Sequence, residues 1–157
     1  IEQAIRNSQQ VKGLFLLAAP MKLFLKPALV GNSMRVYLGK VNPDNPRLAA
    51  AHNTYGIEND KHFWRYFGWI PRFLELFQEI CQVRGMLLRL TTPCCCFQSR
   101  KDEMVSVKSV QVLKTAACVQ IQVLKNSSHF YYEESDFRLL LAQFSQWLTH
   151  KGGNEYV

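Results

Sequence analysis

The feature that most constrains this chain is a stripe of large apolar residues near its end. Phe137, Leu140, Leu141, Phe144, Trp147 and Leu148 recur at the three- and four-residue spacing of one helix face. Ser135 stands where an N-cap belongs, and Gly152-Gly153 supplies a stop. The pattern predicts a helix near 135–151 with one buried side, and therefore a core for that side to face.

A second stripe has the same period. Ile70, Phe73, Leu74, Phe77, Ile80 and Cys81 share a face, and Gly85 follows them. Asn59 or Asp60 is a candidate cap upstream, and Pro71 either kinks the helix or starts a new one. This predicts a long helix near 60–84. Residues between the two helices read as strands. Met86–Thr92 is ended by Pro93, Met104–Leu113 follows, and Ala117–Lys125 alternates Val119, Ile121 and Val123 with Gln120 and Gln122. Lys114-Thr115-Ala116 is short enough to join the last two as a hairpin, and His129–Tyr132 reads as a further strand.

Upstream, Glu2–Gln10 has helical composition. Gly13–Ala19, Lys22–Val30 and Met34–Val41 are apolar runs separated by Pro20-Met21 and Gly31-Asn32-Ser33, which predicts a β-meander with Pro27 in an edge strand. Pro46 begins a short helix through Leu48–Ala51. The expectation is one α+β domain over 1–157, with antiparallel sheet(s) packed against amphipathic helices. The first residue is isoleucine, and we expect a domain excised from a larger protein. The order of elements is similar to small kinase-associated and RWD-type interaction domains, a likeness of topology that no motif carries.

Composition narrows the class. An apolar fraction of 48% with 20% charged residues is that of a folded globular chain. Leu14–Ala19, the best apolar run, falls far short of the roughly 20 residues that span a bilayer. Five cysteines, three of them consecutive at Cys94-Cys95-Cys96, do not make a disulfide framework. Reduced thiols point to a cytoplasmic or nuclear location.

The net charge of +7 is uneven: residues 1–100 hold 13 Lys or Arg against 6 Asp or Glu, whereas 101–157 hold 6 of each. Lys61, Arg65 and Arg72 fall on a common side of the expected helix, with Trp64, Tyr66 and Trp69 among them. Arg84, Arg89, Arg100 and Lys101 continue the basic set. Cations interleaved with rings suit phosphates and stacked bases, or an anionic membrane surface, although arginine stems lying over core aromatics give the same pattern.

Catalytic patterns are missing from the sequence. It has no phosphate-binding glycine loop and no G-x-S-x-G elbow. In an extended segment Cys94 and Cys96 face one side and Cys95 the other, so the run suits small buried hydrophobes rather than a metal site. His52, His62, His129 and His150 stand in no pairing with a nucleophile. Glu133, Glu134 and Asp136 suit the start of a helix. The expectation is therefore a non-catalytic protein–protein interaction domain of a larger intracellular assembly, with no cofactor and no metal. The alternative is a nucleic-acid or anionic-membrane binder.

Overall fold

The structure, a computed structural model, describes residues 1–22, 27–55 and 62–152. Helix α1 covers Glu2–Arg6 and strand β1 Leu14–Leu17. Helices α2, Pro27–Tyr37, and α3, Pro46–Tyr55, follow. A 3₁₀ segment, Phe63–Trp69, runs into α4, Ile70–Met86. Strand β2 is Cys94–Ser99, α5 Val107–Val110, β3 Val119–Leu124 and α6 Glu134–Gly152.

The expected mixture of helices and sheet is present, but the sheet is parallel, not antiparallel. Its order is β1-β2-β3, with Leu14 opposite Cys94 and Cys94 opposite Val119. The reason lies in the connections. Parallel neighbours need a crossover of a dozen or more residues, usually helical, and both links here are of that kind. Helices α2, α3 and α4 lie between β1 and β2, and α5 with a 3₁₀ turn over Gln111–Thr115 lies between β2 and β3. Met104–Leu113, expected as a strand, is thus a helical crossover. Its valines have strand composition, yet Val110 and Leu113 are buried at helical i, i+3 spacing. The likeness to RWD-type domains rested on antiparallel topology and falls with it.

Among the described residues the expected meander is absent as well: the first run holds β1, the third run begins inside α2, and 23–26 of the middle run lie outside the described residues. Pro27 opens α2 instead of marking an edge strand, as a residue lacking a backbone donor does well in a first turn. Gly31-Asn32-Ser33 lies inside that helix. Gly39, at φ 65°, closes it: its N–H reaches Val36 O at 3.0 Å, and Lys40 N–H reaches Arg35 O at 2.8 Å. Met86–Thr92 holds the end of α4 and a 3₁₀ turn rather than a strand, and 129–132 is irregular. The helices near 46 and near 135, and the α-helix carrying the Ile70 stripe, are where the spacing placed them. The long helix begins at Ile70, since 63–69 is 3₁₀ and Lys61 lies outside the described residues.

Strand β2 is the centre of the molecule, and every residue in it is buried. Cys94 and Cys96 face one side. Cys96 packs with Met21, Leu87, Val105, Val110 and Leu113. Cys94 joins Ala4, Leu90 and Ala116. Cys95 and Phe97 face the other side, with Leu124, Phe15, Leu140 and Trp147 of α6. A central parallel strand covered on both faces reads as a continuous apolar run without alternation, which is what Cys-Cys-Cys-Phe is. Gly13 allows α6 to come this close: a Cβ there would sit 2.5 Å from Trp147 Cζ2.

Candidate functional site

Parallel strands send their carboxyl ends to one edge of the sheet, and ligands of open α/β sheets bind outside that edge. Ser99 ends β2 opposite Leu124, which ends β3. The loops that follow are therefore neighbours. The first carries Asp102 and Glu103, and the second carries Ser127, Ser128 and His129. All of these are buried except His129, which is half-buried.

Asp102 is the hub. Its Oδ1 accepts the backbone N–H groups of Met104 at 2.8 Å and Val105 at 2.7 Å. Its Oδ2 accepts Gln98 Nε2 at 3.1 Å and lies 3.0 Å from His129 Nδ1. Burial would raise the Asp102 pKa, but the His129 bond and the two backbone donors outweigh it and hold the carboxyl below its ordinary value. The effect on His129 is reciprocal. The bond to Asp102 raises the imidazole pKa, burial opposes this, and the charges of Asp102 and Glu103 add to the rise. Nδ1 is thereby committed to the carboxylate. Among the described residues nothing hydrogen-bonds Nε2, and the ring is 24% exposed.

The surroundings are polar and enclosed. Glu103 Oε2 accepts the His129 backbone N–H at 3.2 Å. Burial pushes the Tyr132 phenol up, the neighbouring Ser99 hydroxyl pulls it down, and Asp102 adds to the rise. That influence stops short of a bond: Ser99 Oγ and Gln98 Oε1 are buried and make no hydrogen bond among the described residues. At the end of β1, on the same edge of the sheet, Ala18 is held at φ 51°, a left-handed conformation that costs a residue with a Cβ about 1 kcal/mol.

A buried carboxylate that orients an imidazole, with no described residue hydrogen-bonded to the other ring nitrogen, is an arrangement able to take up and return a proton at Nε2. Cys94 and Cys96 do not add a reactive thiol. Burial, with the neighbouring cysteines, pushes Cys94 up to about 12, and burial pushes Cys96 to about 11, so neither is a nucleophile near neutral pH. No group of three or more His, Cys, Asp or Glu able to hold a metal ion lies among the described residues.

The described residues singled out from sequence lie on several elements. Arg65, Trp64 and Trp69 are exposed on the 3₁₀ segment, and Tyr66 lies in the same segment. Arg72 is exposed on α4 and pairs with Glu75 at 2.8 Å. Arg84 and Arg89 are exposed farther along. Arg100 and Lys101 are exposed beside the polar cluster, where Lys101 Nζ reaches Asn126 Oδ1 at 3.4 Å. Lys61 lies outside the described residues. Sequence reasoning missed Asp102, Glu103 and His129. The available signal was an acidic pair after one apolar strand and a histidine after the next.

Comparison with protein-family models and with curated proteins gives no match to this chain. No helix among the described residues is long and apolar enough to cross a membrane.

Proposed function

We propose that this chain carries the acid and the base of a nucleophilic acyl hydrolase, with Asp102 as the orienting carboxylate and His129 as the general base. The observation that carries the reading is the 3.0 Å contact between buried Asp102 Oδ2 and His129 Nδ1, beyond the carboxyl ends of adjacent parallel strands. In α/β-hydrolases the chain order is nucleophile, acid, histidine, with the nucleophile on a strand-to-helix turn at that same edge. Asp102 after β2 and His129 after β3 stand in the order of the last two.

The chemistry follows from the free Nε2. It takes the proton of a nucleophile hydroxyl as that oxygen attacks an acyl carbonyl. The imidazolium so formed, stabilised by Asp102, returns the proton to the leaving oxygen as the carbon–oxygen bond breaks. Water then repeats the sequence on the acyl intermediate. None of the described residues brings a hydroxyl or thiol to Nε2. A nucleophile turn would reach it from a strand beside β1, on whose far side none of the described residues forms a strand.

The natural protein carrying this sequence should hydrolyse a short acyl ester such as p-nitrophenyl acetate and take up a fluorophosphonate label. His129→Ala and Asp102→Asn should each lower kcat by about a thousandfold or more. Full turnover in His129→Ala, or no turnover and no labelling in the unaltered protein, overturns the reading.

A second reading, the non-catalytic interaction domain, is favoured by one observation. Trp64, Phe67, Trp69, Ile70, Phe73 and Leu74 are each about half exposed in consecutive segments, with Arg65 and Arg72 among them. If the partner is anionic, binding to single-stranded RNA, duplex DNA or anionic vesicles should fall steeply between roughly 50 and 200 mM salt. It should also weaken in the Arg65→Glu, Arg72→Glu double variant. No binding at the lower salt turns the search to protein partners.

A further inference from the structure

The loop that carries His129 is held from two directions by carboxylates that do not touch its ring. Asp136, in the first turn of α6, is buried and spends Oδ2 on the loop rather than on its own helix. It accepts Asn126 N–H at 2.7 Å, Ser127 N–H at 2.8 Å and Ser127 Oγ–H at 2.8 Å. Ser127 Oγ in turn accepts Glu133 N–H at 3.2 Å, and Ser128 N–H closes on Tyr131 O at 2.8 Å. The segment 126–133 is therefore a small closed loop pinned at its base. Helix α6 transmits the pin to the core, since Leu140 and Trp147 pack against Cys95 and Phe97. From the opposite side Glu103 holds the His129 backbone N–H, one residue along from the carboxylate that holds the ring.

These contacts specify the ring position more closely than the Asp102 bond alone. One hydrogen bond to Nδ1 fixes a distance and leaves the imidazole free to swing about it. Fixing the backbone at 126, 127 and 129 removes that freedom, and a general base must hold its nitrogen within hydrogen-bond reach of the proton it takes.

We propose that Asp136 and Glu103 are positioning residues that hold the His129 loop so that the imidazole meets Asp102 and presents Nε2 to the nucleophile. This rests on the hydrolase reading for its catalytic consequence, but not for its structural one.

The test uses Asp136→Ala, Asp136→Asn, Glu103→Ala and Glu103→Gln in the natural protein. The readouts are ester turnover, melting temperature and the His129 titration by NMR. The alanine variants should lower kcat by about 10- to 100-fold with KM within about twofold, and should move the His129 titration towards an ordinary histidine. Glu103→Gln and Asp136→Asn keep an oxygen that accepts the same N–H groups, so they should recover most of the kcat loss, and Asp136→Asn most of the titration shift. Glu103→Gln removes a charge that raises the His129 pKa and so keeps part of that shift. Should Asp136→Ala not fold, the Glu103 pair carries the same comparison. Alanine variants that lose only melting temperature, with the His129 titration and kcat unchanged, overturn the proposal. If the unaltered protein hydrolyses no ester, the hydrolase reading fails alone, and the His129 titration still decides the positioning role.

Discussion

Asp102 Oδ2 lies 3.0 Å from Nδ1 of His129, the carboxylate wholly enclosed and the imidazole a quarter exposed. Each holds the other in its charged form, so the contact contributes stability over a definite range of pH. The carboxylate side is in force above the ordinary aspartate value of 3.8 and is lost as pH falls through the lower folded-state value. The imidazole side is in force below the ordinary histidine value of 6.5 and is lost as pH rises through the higher folded-state value. A plot of melting temperature against pH should fall at both ends. His129→Gln should flatten the alkaline fall and also weaken the acid fall, because the His129 bond is the foremost interaction that lowers the Asp102 pKa. Asp102→Ala, which strands the partners of a buried charge, should cost about 3 kcal/mol or more in denaturant unfolding.

Gly13 and Trp147 are in mutual contact through the space a side chain would fill. Gly13→Ala should destabilise by about 1–3 kcal/mol, because its Cβ would come within 2.5 Å of the indole. Trp147→Phe removes the atoms it would strike. The double variant should then lose less than the sum of the two single changes, a non-additivity that chemical denaturation of all four proteins measures.

The thiols should divide by burial. Alkylation of the native protein at pH 8 should modify exposed Cys81 and leave Cys94 and Cys96 untouched, with both reacting after denaturation. Mass spectrometry of the digested protein identifies the sites. Rapid native labelling of Cys96 would contradict its place in the central strand.

Gln98 is wholly buried, and its Nε2 faces three oxygens: Asp102 Oδ2 at 3.1 Å, Val105 O at 3.0 Å and Ser99 O at 3.2 Å. Gln98→Leu keeps the volume and removes the donor. It should cost about 1–3 kcal/mol and shift the acid limb of the melting curve upward in pH, because the Asp102 carboxylate loses one of its donors.

The sequence by itself determined the elements whose signal is local. The Phe137–Leu148 and Ile70–Cys81 stripes carry the helical period in their own residues, and Pro46 and the Val119–Leu124 alternation are read within a few positions. It also placed Cys94 and Cys96 on the side of an extended segment opposite Cys95. The pairing of strands was decided only by tertiary structure. Val107–Val110 has strand composition and is helical because its buried positions face Cys96 across the core. Cys94–Ser99 was not recognised as a strand because layers on both of its faces erase the alternation that marks one. Stripe residues such as Phe137 and Leu148 remain exposed in the fold, since the spacing of a stripe marks a face without saying what covers it.

The candidate site is further still from the sequence. Asp102 and His129 are 27 positions apart and belong to no motif that spacing reveals. They meet because β2 and β3 run the same way in register, which brings the loops after Ser99 and Leu124 side by side. Local sequence sets which residues favour a helix or a strand. The direction in which neighbouring strands run, and hence which loops share an edge, is set by long-range packing that no short window contains.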